Sequence, residues 1–168
     1  LLFISLQFSV AQTLFSENIG TPSSTTTIAN NAFQNNGLLT YSNGSQTNAA
    51  DIRKTNSSSE YSNASAGGNV FFTSTSGSYG FSIESINATN YSSLTLDYGY
   101  RKEAASVHAN FSVDYWNGTS WIVLANSAAT LFNESSSATA KWYLAKTLTL
   151  PNDAQINGLK IRFVKTGT

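Results

Sequence analysis

Asp114-Tyr115-Trp116-Asn117-Gly118-Thr119-Ser120-Trp121-Ile122-Val123-Leu124 reads as a β-hairpin. Asn-Gly between two apolar, β-branched and aromatic runs is a strong short-range hairpin signal. A two-residue turn at Asn117-Gly118 sets Val113 opposite Ile122, Phe111 opposite Leu124 and Asp114 opposite Trp121. A four-residue turn over residues 117–120 sets Trp116 opposite Trp121. Both registers send Ile122 and Leu124 to the core and both tryptophans to the other face; a three-residue loop inverts that result.

The same period of two extends outward. Val107, Ala109, Phe111, Val113 and Tyr115 alternate with His108, Asn110, Ser112, Asp114 and Trp116. Phe81 and Ile83 alternate with Ser82 and Glu84; Leu94, Leu96, Tyr98 and Tyr100 with Thr95, Asp97 and Gly99. Trp142, Leu144, Leu148 and Leu150 share a face broken by Lys146, and Leu159, Ile161 and Phe163 alternate with Lys160 and Arg162. Shorter candidates lie at residues 13–16, 38–42, 51–53 and 69–73. Helical periodicity is confined to a weak signal at residues 127–132. About nine strands, wet on one face, predict an all-β antiparallel β-sandwich or barrel, with long polar loops at residues 20–37 and 55–68. There is no internal repeat.

Composition agrees with one exported domain. The 168 residues are 40% hydrophobic and 12% aromatic, enough to order a core despite only 11% charged residues. Zero formal net charge supplies no positive field for nucleic acid. With no cysteine there is no disulfide framework, thiol chemistry or thiolate metal site. The apolar run at residues 1–11, ending in Ser9-Val10-Ala11, reads as the remnant of a signal peptide cleaved before Gln12, or else as a hydrophobic first strand; it is too short to span a bilayer. Residues 12–168 are then one secreted domain.

Candidate chemistry is sparse. His108 is the only histidine, on a polar strand face with no nucleophile elbow, so triad chemistry is unsupported. Glu84, Asp97 and Asp114 occupy polar-face positions and could serve a glycoside hydrolase only if two converge. Glu17, Asn18 and Asp51 offer hard oxygens for a structural calcium, though without EF-hand spacing. The Asn-x-Ser/Thr sequons, such as Asn63-Ala64-Ser65, matter only in a glycosylating host. Trp116 and Trp121, flanked by Asp114 and Asn110, have the makings of a glycan-stacking platform, with polar groups for the sugar hydroxyls. Rings covered by a loop or another domain are the alternative.

Leu14-Phe-Ser-Glu-Asn-Ile-Gly20, Ala50-Asp-Ile-Arg53, the stretch from Tyr61 to Phe71, Phe81-Ser-Ile-Glu-Ser-Ile-Asn87, Tyr91-Ser-Ser-Leu-Thr-Leu-Asp-Tyr-Gly99 and the tryptophan-bracketed hairpin follow in order. Together, over residues 14–164, they resemble jelly-roll modules near the N-terminus of secreted Bacteroidetes (flavobacterial) proteins. The resemblance implies a galactose-binding-like or carbohydrate-binding jelly roll, exported by the type IX pathway beside other domains of a larger protein. It also implies a final strand after the Phe163 strand. The expectation is therefore a non-catalytic module for polysaccharide or cell-surface adhesion. A glycan hydrolase and a ligand-free spacer or docking module are the alternatives.

Overall fold

The computed structural model describes residues 12–103, 110–133 and 140–167. Its strands are β1 (Thr40–Ser42), β2 (Asn48–Ala49), β3 (Asp51–Arg53), β4 (Asn69–Phe71), β5 (Tyr79–Asn87), β6 (Thr95–Leu96), β7 (Gly99–Arg101), β8 (Phe111–Trp116), β9 (Trp121–Ala125), β10 (Trp142–Leu144), β11 (Leu148–Thr149) and β12 (Asn157–Lys165). A single helical turn, α1 (Ala128–Leu131), starts at Ser127 with a capping box: Ser127 Oγ accepts the Thr130 N–H and Thr130 Oγ1 accepts the Ser127 N–H.

One layer is a six-stranded sheet in the order β1-β5-β12-β8-β9, antiparallel throughout except that short β2 pairs with β5 in parallel. The second layer is broken into pairs. β7 with β10 and β6 with β11 are two halves of one ladder, since Ala145 N–H donates to Tyr98 O and Leu150 N–H to Leu94 O across and beyond the break. β3 pairs with β4, and Thr26 bridges to Ile52.

Both layers feed one core. Phe81, Ile83, Val113, Tyr115, Leu159 and Ile161 point inward from the six-stranded sheet and meet Ile52, Tyr100 and Leu148 from the other layer. Phe163 packs edge-on against Tyr98, with ring centroids 5.1 Å apart. Each such side chain removed from water contributes about 1.5–3 kcal/mol, so the alternating apolar positions hold the two layers face to face. This is an all-β, predominantly antiparallel sandwich. It has twelve strands among the described residues rather than about nine, because interruptions split the runs at 94–101 and 142–150 and the short β2 is an addition.

Three local expectations need correction. Residues 13–16 form no strand; Leu14 and Phe15 pack half-buried against the core. Residues 20–37 are more than a surface excursion, since Ile28 and Phe33 enter the core. Ile122 has the inward parity expected of it but stays 37% exposed. Among the described residues β9 is the edge of its sheet, with a neighbour on one side only, so inward parity does not bury Ile122. His108 and residues 1–11 lie outside the described residues.

Candidate functional site

The hairpin adopts the four-residue turn: Trp116 faces Trp121, Tyr115 faces Ile122 and Asp114 faces Val123. Asn117 builds the turn. Its N–H donates to Ser120 O, and its Oδ1 accepts the N–H groups of Thr119 and Ser120 and the Thr119 hydroxyl. Gly118 carries φ +99°, outside the range L side chains adopt readily. A bulge between Val113 and Asp114 then shifts the pairing so that Val113 faces Ala125.

The outer face of the six-stranded sheet is assembled in two rows. Residues at matching register on adjacent strands point the same way. One row runs from Ser42 through Ser82, Arg162 and Asp114 to Val123; beside it Lys160 faces Trp116, which faces Trp121. Residues 43–46, linking β1 to β2, lie over one half of this face. Asn43 O passes so close that a Cβ on Gly80 would sit 2.2 Å from it, which is why this position has no side chain. Among the described residues the other half, around the tryptophans, is less covered: Trp116 and Trp121 are half-buried and Val123 is exposed.

Arg162 ties the two halves together. Its Nε donates to Asp114 Oδ2 at 2.8 Å, its Nη1 donates to Gly44 O at 2.9 Å, and its guanidinium lies 4.2 Å from the Trp121 ring centroid. The stack satisfies a cation and holds the indole in one orientation. Lys160 pairs with Glu84 Oε2 at 2.8 Å, and its ammonium lies 5.7 Å from the Trp116 ring centroid. Glu84 Oε1 accepts the hydroxyls of Ser42 and Ser82. Burial pushes the Glu84 pKa up. The hydrogen bonds from Lys160, Ser42 and Ser82, with the Lys160 charge, outweigh it and hold the carboxyl below its ordinary range.

The two indoles are not coplanar. Their centroids are 5.7 Å apart and their planes meet at 66°, so they form a corner rather than a flat shelf. Both are half-buried.

Asp114 shares this face but is 3% exposed, covered by its own ion-pair partner, so it does not reach a ligand directly. Asn110 lies at the far end of β8, six residues from Trp116, or about 20 Å at the rise of a strand. Its carbonyl accepts the Thr166 N–H, and it is not part of the corner. Lys160, Arg162, Ser42 and Ser82 are the members that sequence reasoning missed. The alternation of Lys160 and Arg162 with Leu159, Ile161 and Phe163 already placed them on a polar face. Only the pairing of β12 between β5 and β8 places them under the tryptophans.

The three carboxylates do not converge. Asp97 belongs to the other layer, where it accepts the Thr147 hydroxyl. Glu84 and Asp114 are on strands two spacings apart, about 10 Å, with a further step along the strands. Two cations, Lys160 and Arg162, stand between them.

Glu17 is a hub of the segment at residues 16–41. Its carboxylate accepts the N–H groups of Ile19, Gln34 and Asn35, the Asn35 amide and the Tyr41 hydroxyl. Burial, then that hydrogen bond and the Glu17 charge, push the Tyr41 hydroxyl pKa up. Asn18 Oδ1 accepts the Gly20 N–H, and Asp51 pairs with Arg53 at 2.9 Å. The oxygens proposed for calcium are thus engaged by N–H and O–H donors, and among the described residues no three His, Asp or Glu side chains gather to hold an ion. No helix among them is long and apolar enough to cross a membrane.

Comparison with protein-family models, with curated proteins and with solved structures finds no match to this chain.

Proposed function

We propose that this chain is a non-catalytic carbohydrate-binding module of an exported protein, with the Trp116–Trp121 corner as its glycan contact. The observation that carries the reading is the pair itself: two half-exposed indoles, directly opposed across a hairpin, on a sheet face that also carries Lys160, Glu84, Arg162 and Asp114. One pyranose ring fits such a corner, its C–H face on one indole and its edge on the other. Lys160, with its side chain 35% exposed, lies within reach of the hydroxyls, as does Glu84. Arg162 lies over the Trp121 ring and so fixes it.

The absence of catalysis in this reading rests on electrostatics. Glycoside hydrolysis by paired carboxyls needs one that stays protonated near neutral pH. Glu84 is shifted the other way, and Asp114 is covered and paired. Sharing a larger surface protein with other domains, for polysaccharide attachment or adhesion, is the context that suits a module of this kind.

Titration against a polysaccharide panel, followed by tryptophan fluorescence, tests the proposal. Binding is expected to change the emission and to fall at least tenfold in Trp116→Ala and in Trp121→Ala. A folded protein that binds no glycan, or that binds equally well without both rings, overturns it.

A further inference from the structure

We infer that the corner takes a neutral sugar, and that uronic or sulfated glycans are poor ligands for it. This rests on the carbohydrate-binding reading and narrows its substrate class. The argument is one of charge closure. Four charged side chains are described on the outer face beside the tryptophans, and they cancel in pairs: Lys160 with Glu84 at 2.8 Å and Arg162 with Asp114 at 2.8 Å.

Each cation already has a carboxylate against it, so an incoming anion meets a like charge at either one. Arg162 is the more firmly held: its Nε and Nη1 are committed to Asp114 and Gly44 O, and its plane lies against Trp121. Its side chain is 15% exposed and that of Asp114 only 5%. An incoming carboxylate or sulfate would have to share the guanidinium with a buried carboxylate and bear the repulsion of its charge. Lys160 is freer, but Glu84, ionised and fixed by two serine hydroxyls, lies beside it and repels a second anion. A neutral hydroxyl meets neither cost. It can donate to Glu84 or accept from Lys160 while both pairs stay closed, and stacking on indole needs only C–H groups.

The experiment compares neutral, uronate-containing and sulfated oligosaccharides of equal length on the intact chain, in about 0.1 M and about 1 M NaCl. Over that range the screening length falls from about 10 to about 3 Å. Neutral ligands are expected to bind at least tenfold tighter than either acidic class, with affinity changing less than about twofold with salt. Glu84→Gln, which frees the Lys160 charge, is expected to raise the affinity for the acidic ligands severalfold and to make it salt-sensitive. An acidic glycan that binds wild type better than its neutral counterpart, with affinity collapsing in high salt, overturns the inference while leaving a glycan-binding face intact. Binding of none of the three classes removes the glycan reading and the inference with it.

Discussion

Asp114 is a carboxylate buried on what the alternation marks as a wet face, and it shows how a single residue can be misread from its position. One oxygen accepts from Arg162; the other, Oδ1, is buried with no hydrogen-bond partner among the described residues. Such a group is tolerated because a guanidinium lies against it, and removing either partner leaves a charge without compensation. Asp114→Ala is therefore expected to lower unfolding stability by about 3 kcal/mol, measured by urea denaturation. Arg162→Ala on top of it should cost clearly less than the sum of the two single losses; strict additivity would show that the pair is not coupled. Glu84 gives a second test, in pH. Its folded pKa lies below the ordinary 4.5, so the ionised form is favoured by folding. The stabilisation is present above that ordinary value and is lost as pH falls through the lower folded one. Wild type should lose stability on acidification below the ordinary 4.5, and Glu84→Gln should show a shallower fall. Equal slopes in the two proteins would sink the assignment.

Among elements, the β8–β9 hairpin shows what was legible and what was not. The chain signals its existence, its four-residue option and the shared face of Trp116 and Trp121 through Asn-Gly and a period of two. Gly118 at φ +99° makes the turn testable: Gly118→Ala should cost about 1–2 kcal/mol, lowering Tm by roughly 3–6 °C in a chain of this size, with a fluorescence change as the indole pair loosens. An unchanged Tm would mean that the turn relaxes freely. Periodicity does not carry strand order. Nothing local in Leu159–Phe163 says that its neighbours are β5 and β8, so the Lys160 and Arg162 contacts stayed hidden. Nor does parity report edges, which is why Ile122 reads as core and is half-open, or roofs, which is why Ser82, polar and outward, is fully buried beneath residues 43–46. The helical turn after Ser127 gave only a weak signal in the sequence; the capping box that starts it pairs Ser127 with Thr130 and is wholly local.

At the scale of the molecule, the two layers share one contiguous core, so near-ultraviolet and far-ultraviolet circular dichroism should report a single coincident unfolding transition. The order of assembly is less symmetric. β12, the last described strand, sits in the middle of its sheet, bonded on one side to β5 from residues 79–87 and on the other to β8. Until that segment has left the ribosome, β5 and β8 have no common neighbour, and the inward faces of both stay open. A chain truncated before Asn157 is expected to show no cooperative transition, whereas one ending just beyond Lys165 should; a folded truncation would break the argument. A keystone made after both of the strands it joins keeps β5 and β8 unlocked until it arrives.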